Sequence, residues 1–407
     1  MNIAVHTLTS PLPDAAAVDA VSKGFISEIE KELGFGLDFK GEDFTGYGSH
    51  DLDLIYVRTG GTEGLFKEVF PAISGRIVLL TSGKSNSLAA SMEILSYLNQ
   101  NGRSGEIIHG SHQYIADRIK VLAQVEAARK SLNGSRLGVI GKPSDWLISS
   151  DTDAWAAKDA LGIELVDIPM EELVKEIATG GFAQDHERAE EIRKELEENA
   201  TDAIRKYISG AFDIYYAIKR IIDRHSLSGI TLRCFDLLSA IGNTGCLALA
   251  LLNEEGIPAG CEGDVPALIT MTVGKALTGC CGFQANPSRI DPQTGEILLA
   301  HCTVPFDMVR HHSFNTHFES GIGIAIHGEL PEGQATIFKL SGDLSRSYIC
   351  DAQILENRYE NNLCRTQIVM KVNDTDYFFR NPIGNHHIVF CGNHTAIFKA
   401  FCSSLKK

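Results

Sequence analysis

The hydrophobic pattern at the start of the chain alternates between short apolar strands and longer amphipathic helices. Strands are predicted at residues 3–8, 52–57 and 77–81, and helices at residues 15–33 and about 114–132. The second and third strands each end in a polar, glycine-containing loop that is followed by a further helix. This repeated β–α–β order is typical of a doubly wound parallel sheet.

The same pattern restarts after the predicted helix, so we place a domain boundary near Asn133-Gly134. New strands are predicted at residues 136–140 and 163–168. A highly charged helix at residues 186–199 has the composition of a solvated face.

From about residue 321 the sequence pattern becomes typical of β-structure, with short predicted strands joined by Gly, Pro, Asn and Asp. The predicted strands are residues 321–327, 334–341, 363–372 and 386–391. We therefore predict an α/β protein with two doubly wound α/β domains followed by a mostly β C-terminal domain. The predicted domains are residues 1–134, 135–303 and 304–407.

Composition and charge exclude several classes of partner. The 407 residues carry a formal net charge of −15, with 44% hydrophobic and 22% charged residues. Binding to nucleic acid or to an anionic membrane surface requires clusters of Lys and Arg, which the sequence lacks. We also find neither a signal-peptide pattern nor an apolar run long enough to span a membrane. We predict a cytoplasmic protein without a nucleic-acid or membrane partner.

All ten cysteines lie at or after Cys234, and none forms a Cys-x-x-Cys motif. This spacing lacks the usual signature of a zinc site or a redox pair. We expect reduced, mostly buried thiols.

Two carboxylates follow a short predicted strand that ends near Cys261. Alternation along a strand would point Glu262 and Asp264 to the same face, where they need a cation, protons or sugar hydroxyls. Asp264 also precedes Val265-Pro266, which is a typical start of a helix. We favour an N-cap role for Asp264 and a site role for Glu262.

Eight of the fourteen histidines follow residue 300. His301 is predicted at a strand tip, His311-His312 in a polar loop, and His386-His387 at the start of a late strand. Adjacent strand residues face opposite ways, so only one of His386 and His387 can point into a site. Histidines that converge with Glu262 would suit a divalent ion such as Mn²⁺ with open positions for substrate oxygens.

Two further features suggest sugar binding without requiring it. Trp146 ends a polar loop after a predicted strand, and aromatic faces commonly pack against sugar rings. The alternative for Trp146 is a capped turn with a half-buried ring. Arg310, His311 and His312 have the chemistry to bind hydroxyls or a charged substrate group, although such loop residues are often plain surface.

The segments that carry these residues resemble the metal-site region of the L-fucose/L-arabinose isomerase superfamily, over roughly residues 230–395. The matching segments are Arg233-Cys234-Phe235-Asp236, Thr244-Gly245-Cys246-Leu247-Ala248, Gly260-Cys261-Glu262-Gly263-Asp264, Ala300-His301-Cys302 and Gly384-Asn385-His386-His387-Ile388-Val389. The whole chain is shorter than typical members.

The resemblance implies an aldose–ketose isomerase that acts on a pentose, a hexose or a 6-deoxy sugar through an enediolate. It implies a divalent metal, usually Mn²⁺, and a homo-trimer or homo-hexamer. Glu262 matches the first carboxylate of that family, which is both a metal ligand and an acid/base group. His301 matches a histidine that lines the metal site, and one of His386 and His387 matches the last ligand.

One departure from the family pattern is chemically important. The second carboxylate is expected within residues 283–287, where Asn286 takes the ligand position. An amide oxygen can coordinate a metal but cannot accept a proton at neutral pH. Asp264, Asp291 and Asp236 are candidate replacements. The alternatives are therefore another sugar-active enzyme on the same scaffold, such as an epimerase, lyase or transferase, or a non-catalytic sugar-binding protein.

Overall fold

The computed structural model describes residues 2–11, 14–183 and 186–405. The chain divides into two compact units, one formed by Met1–Lys130 with Lys399–Lys407 and the other by Ser131–Phe398. We call them unit 1 and unit 2. None of the helices in the described ranges is both long enough and apolar enough to cross a membrane.

Strands and helices alternate through the first half of the chain. In order they are β1 (Ile3–Leu8), α1 (Ala15–Leu33), β2 (Asp38–Gly41), β3 (Leu52–Val57), α2 (Glu63–Val69), β4 (Ile77–Thr81), α3 (Ser87–Gln100), β5 (Gly105–Ile108), α4 (His112–Leu132), β6 (Arg136–Ile140), α5 (Ala154–Leu161), β7 (Glu164–Ile168), α6 (Met170–Thr179), α7 (Glu187–Asn199), α8 (Asp202–Arg205) and α9 (Ile208–His225).

Strands dominate the second half. In order the elements are β8 (Gly229–Leu232), α10 (Phe235–Ile241), α11 (Cys246–Glu254), β9 (Ala259–Cys261), α12 (Val265–Thr278), β10 (Phe283–Asp291), β11 (Glu296–His301), β12 (His311–Asn315), β13 (Ala325–Glu329), β14 (Gly333–Leu340), β15 (Ser347–Arg358), β16 (Thr366–Val372), α13 (Asp376–Arg380), β17 (His387–Cys391) and α14 (Thr395–Leu405).

Unit 1 is built on a five-stranded parallel sheet in the order β2-β1-β3-β4-β5. Its central strands are buried on both faces, as parallel strands covered by helices must be. The connection from β2 to β3 contains no helix: residues 42–51 pass over β1 instead. A loop that covers a sheet face must satisfy its own polar groups, and this one does so partly through His6 and Asp53.

Unit 2 combines a parallel sheet with an antiparallel barrel. The sheet has the order β7-β6-β8-β9, and the barrel closes in the order β10-β11-β16-β15-β14-β17. A separate antiparallel pair joins β12 to β13. Closure leaves the barrel without exposed edge strands.

These sheets confirm the predicted fold class of parallel α/β sheets followed by a mostly β region. The polar loop predicted around His311-His312 is wrong, because both histidines lie in β12 and pair with Gly328 and Glu329 of β13. The alternation of polar and apolar residues in this segment is too weak to predict a strand. The division of the second unit at residue 303 stays a prediction.

Helix α12 links the parallel sheet to the barrel. It begins at the end of β9, where the Asp264 carboxylate caps it by accepting a hydrogen bond from the Ala267 amide at 2.8 Å. At Gly274 the helix lies so close to the barrel that an added Cβ would sit 2.1 Å from Phe390 Cζ. The Phe390 ring is fully buried against Phe398, so it has no room to move away.

We therefore expect Gly274→Ala to lower the free energy of unfolding by about 2 kcal/mol, since an overpacked core must shift side chains or backbone. Gly24→Ala is the matched control: Gly24 lies in α1, is exposed, and an added Cβ would meet nothing within 4 Å. It should raise stability by roughly 0.5 kcal/mol. Urea denaturation measures both, and an unchanged Gly274→Ala midpoint would contradict this packing.

Candidate functional site

A cavity of about 490 Å³ lies in unit 2. Several of the segments singled out in the sequence meet around it. Its lining residues are Trp146, Cys234, Phe235, Cys246, Cys261, Glu262, Asn286, Pro287, His301, Cys302, His317, Glu319, Cys364 and Asn385.

Glu262 enters the cavity from a left-handed turn. Its φ of 62° is unusual for a residue with a side chain, and Gly263 follows with a φ of 71°. A Cβ on Gly263 would lie 2.5 Å from the Lys142 carbonyl oxygen, so only glycine fits there. The Glu262 carbonyl accepts a hydrogen bond from the Ser144 amide at 3.0 Å. The turn therefore holds a strained glutamate at the cavity wall, where backbone strain commonly accompanies function.

Trp146 fixes one oxygen of that carboxylate. Its indole nitrogen donates a hydrogen bond to Glu262 Oε2 at 2.6 Å, and its ring contacts Phe235 edge-on at a centroid distance of 5.0 Å. The tryptophan lies in a turn and is 52% exposed, as its alternative of a capped turn with a half-buried ring describes, and it contacts Glu262 as well. Trp146 and Phe235 together form an aromatic wall of the cavity.

His386 faces the other oxygen of Glu262. Its Nδ1 bonds Asp264 Oδ2 at 2.8 Å, and its Nε2 lies 3.5 Å from Glu262 Oε1. The ring is fully buried, and Nε2 has no hydrogen-bond partner among the described residues. Asp264 thus caps α12, as predicted, and also orients His386. Glu262 therefore faces Nε2 of the ring, whereas Asp264 is bonded to Nδ1.

His301 supplies a second imidazole nitrogen. Its Nδ1 hydrogen-bonds the Thr303 hydroxyl at 3.1 Å, and its Nε2 lies 3.9 Å from Glu262 Oε1. One nitrogen of each histidine is therefore held from behind while the other points toward the glutamate.

These three side chains have the donor set of a divalent metal site. One ligand atom from each of Glu262, His301 and His386 lies within 4.8 Å of the other two. Imidazoles held through their second nitrogen by a carboxylate or hydroxyl are the usual arrangement around a bound metal. The unpartnered Nε2 of buried His386 is a further sign that a ligand belongs there. The residues present fit a divalent ion.

The charges of this group are strongly coupled. Burial alone would lower the pKa of His386, but the hydrogen bond to Asp264 and the charges of Asp264 and Glu262 raise it to about 9. Burial raises the pKa of Glu262, yet His386, His301 and Trp146 outweigh it and lower that pKa to about 2. Burial and the nearby His386 charge lower the pKa of His301 to about 3. At neutral pH the group therefore contains an ionised Glu262, a neutral His301 and a protonated His386.

Lys339 is a charged neighbour that the sequence did not reveal. It lies in β14, is 1% exposed, and places Nζ 3.7 Å from Asp264 Oδ2. Burial lowers the pKa of Lys339, while the Asp264 charge opposes that shift. A lysine inside a predicted strand carries no signal of burial, so only the fold shows this contact.

Five thiols also line the cavity: Cys234, Cys246, Cys261, Cys302 and Cys364. All ten cysteines are thiols rather than disulfides; five of them are buried and four are partly buried. The Sγ atoms of Cys234 and Cys261 lie 3.1 Å apart. The clustering seen in the sequence thus corresponds to a thiol-rich cavity wall.

Several other predicted site residues lie away from this cavity. His312 contacts Glu195, and Arg310 and His311 are likewise outside the described lining. His387 points to the Tyr377 hydroxyl at 3.0 Å, so the two adjacent histidines do diverge. Asn286 does line the cavity, and its Oδ1 accepts a hydrogen bond from Asn385 Nδ2 at 3.0 Å.

The structure brings in a second carboxyl group that the sequence analysis missed. Glu319 lines the cavity, and burial together with the Glu262 charge raises its pKa. The three candidate replacements for a lost carboxylate are placed differently: Asp236 pairs with Arg233, Asp291 caps a turn, and Asp264 is buried behind His386. Glu319 lies in a loop whose sequence offers no motif.

Asp264→Asn tests the buried charge cluster while keeping the helix cap, because Asn caps as well as Asp. Removing this charge leaves Lys339 without its counter-ion, so we expect a loss of about 3 kcal/mol in unfolding free energy. Adding Lys339→Met should restore at least about 1 kcal/mol, since the uncompensated cation is then gone. Urea denaturation of the three variants provides the test. Equal stability of Asp264→Asn and the wild type would mean that Asp264 and Lys339 are not coupled.

The chain is similar in sequence to proteins that are named as sugar isomerases. No family model matches it. It is 26% identical over 284 residues to the sulfoquinovose isomerases of Priestia aryabhattai and Priestia megaterium, which covers 67% of this chain and 61% of theirs. It is 29% identical over 133 residues to the sulfoquinovose isomerase of Clostridium sp. (strain MSTE9), covering 31% of this chain and 30% of that protein. The match thus spans less than two thirds of the length of these relatives, and the similarity is to enzymes named as isomerases.

Proposed function

We propose that this protein is a divalent-metal-dependent aldose–ketose isomerase. The observation that carries the proposal is the convergence of Glu262, His301 and His386 at a cavity with an aromatic wall. Similarity to proteins named sulfoquinovose isomerase supports the same reaction class. The substrate would be the open chain of a pentose, a hexose or a 6-deoxy sugar.

Glu262, His301 and His386 would hold the ion, for which Mn²⁺ suits the mixed nitrogen and oxygen donors. When bound, such an ion supplies Lewis-acid polarisation of a carbonyl and so makes the neighbouring C–H more acidic. Asp264 and Thr303 would keep the two imidazoles in the required orientation.

Glu262 is the proposed base that moves the proton between C2 and C1. Its low pKa keeps it ionised at neutral pH, so it is ready to accept a proton. It is also a weak base, which is why the reaction needs an acidified C–H. Oε2, the oxygen held by Trp146, lies on the side away from His386 and is the proposed proton carrier.

Glu319 is the proposed second acid/base group. Asn286 cannot carry a proton between the sugar oxygens, but Glu319 lines the same cavity. Its raised pKa brings it closer to the range in which a carboxyl group both gives and takes protons. This assignment replaces the carboxylate that the family pattern leads one to expect at Asn286.

The cavity wall bears on the choice of sugar. The aromatic faces of Trp146 and Phe235 suit the C–H face of a sugar, while the amides of Asn286 and Asn385 suit its hydroxyls. In the described part of the chain the lining includes no lysine or arginine. A sulfonated sugar, as named for the relatives, would therefore need a cation from outside this lining. The homo-trimer or homo-hexamer implied by the family resemblance is proposed on that resemblance alone.

A second candidate function follows from Asn286. Its amide oxygen is already bonded to Asn385, and a carboxylate expected there is missing. This favours an epimerase or lyase on the same scaffold, or a protein that only binds the sugar. Metal binding without ketose formation would identify another enzyme, whereas sugar-dependent thermal stabilisation without metal or turnover would identify a binding protein.

Glu262→Gln should abolish aldose–ketose exchange and remove bound Mn²⁺, because the amide neither carries the charge nor accepts a proton. Glu319→Gln is the matched control: it removes a carboxylate from the same cavity but not from the three-donor group. We expect it to keep Mn²⁺ and to lose turnover. Elemental analysis after Mn²⁺ dialysis and a ketose assay over a sugar panel measure both. A Glu262→Gln protein that still turns over would exclude Glu262 as the base.

Asn286→Asp should tighten Mn²⁺ binding by about tenfold if the side chain reaches the ion, because it adds a charged donor. The fold should tolerate the change, since an Asp oxygen can still accept the Asn385 hydrogen bond. Asn393→Asp adds the same charge at an exposed site outside the cavity lining and serves as the control. Titration of Mn²⁺ by electron paramagnetic resonance gives the affinities. Equal affinities in both variants would place Asn286 outside the ligand set.

A further inference from the structure

A second group of metal-type donors lies in unit 1. Ligand atoms of His6, His50 and Asp53 all lie within 4.8 Å of one another. We propose that this group is a separate binding site for a divalent cation of the Zn²⁺ type, independent of the cavity in unit 2.

Three segments bring the donors together. His6 lies in β1 and Asp53 in β3, and the parallel register pairs Ala4 with Asp53 and His6 with Ile55. The two side chains are therefore diagonal neighbours on one sheet face. His50 comes from residues 42–51, the segment that crosses this face in place of a helix.

The donor atoms converge on one carboxylate oxygen. His6 Nε2 lies 2.9 Å and His50 Nδ1 lies 2.7 Å from Asp53 Oδ1. Two imidazole nitrogens and a carboxylate oxygen are a common ligand set for Zn²⁺ and related ions.

Backbone groups orient the donors from behind. The Asp43 carbonyl oxygen lies 2.6 Å from His6 Nδ1, so that nitrogen donates and leaves Nε2 to face the other donors. The Gly48 amide donates to Asp53 Oδ2 at 3.1 Å. Metal-binding histidines and carboxylates are typically held in this way by a second hydrogen bond.

Hydrogen bonds within the protein do not by themselves satisfy the buried polar atoms of this group. Both ring nitrogens of His6 face oxygens that only accept, so a neutral imidazole can donate a hydrogen bond to just one of them. That ring is fully buried between Phe44 and Tyr47, whose ring centroids lie 5.1 and 5.0 Å away. A neutral imidazole can donate to the Asp43 carbonyl through Nδ1 and offer Nε2 to a divalent ion, so both ring nitrogens are then satisfied. His50 is only partly buried, which leaves a route from solvent.

Three protein donors leave at least one coordination position for water, as in open zinc sites. The ion would tie residues 42–51 to β1 and β3, so its binding should stabilise unit 1. This role requires no chemistry at the cavity.

The test uses the full chain with the cavity donors removed, as Glu262→Gln/His386→Gln. After Zn²⁺ loading and gel filtration, elemental analysis should find about one Zn²⁺ per chain. Adding His50→Gln should remove it, because the amide can still donate to Asp53 but is a poor zinc ligand. His109→Gln, which changes an exposed histidine of unit 1 outside the group, should leave the zinc in place.

Two readouts keep the test independent of how the variants fold. Zn²⁺ should raise the melting temperature of the Glu262→Gln/His386→Gln protein but not that of its His50→Gln derivative. Co²⁺ loading of the former should give visible d–d absorption. Absence of zinc and of a cobalt spectrum in the Glu262→Gln/His386→Gln protein would overturn the proposal and leave a proton-held network. Retention of zinc by a folded His50→Gln derivative would overturn it as well.

Discussion

The hydrogen bond between Asp264 and His386 is the interaction on which the rest of unit 2 depends. Asp264 caps α12, contacts Lys339 of β14, and holds His386 next to β17. One buried carboxylate therefore joins the end of the parallel sheet, the linking helix and the barrel. Because it occupies Nδ1 of His386, it leaves Nε2 directed at Glu262 and without another partner.

The same bond sets the electrostatics of the cavity. With two carboxylates on its two sides, His386 has a pKa of about 9 and holds a proton at neutral pH. A metal ion at Nε2 has to displace that proton, so cation binding and protonation of His386 compete. The strained turn at Glu262 belongs to this arrangement, since it brings the glutamate to the ring while Gly263 passes close to the Lys142 carbonyl.

Much of this was predictable because strand ends and alternation are local properties. The end of β9 near Cys261 and the divergence of His386 and His387 both followed from the sequence, as did the cap at Asp264. Other features depend on contacts between distant segments. Lys339 reads as an ordinary strand residue, Glu319 as loop surface, and His311-His312 as a loop although they lie in β12. No sequence pattern within residues 42–51 predicts that this segment covers a sheet face.

We propose above all that His301 and His386 present nitrogen ligands to a divalent ion beside Glu262. Pulsed electron paramagnetic resonance of the Mn²⁺-loaded protein tests it directly, because nitrogen-14 coupled to the electron spin reports coordinated imidazole. We predict couplings from two histidine nitrogens, with one lost in His301→Gln and one in His386→Gln. A Mn²⁺ signal without nitrogen coupling, or one unchanged by both substitutions, would contradict it.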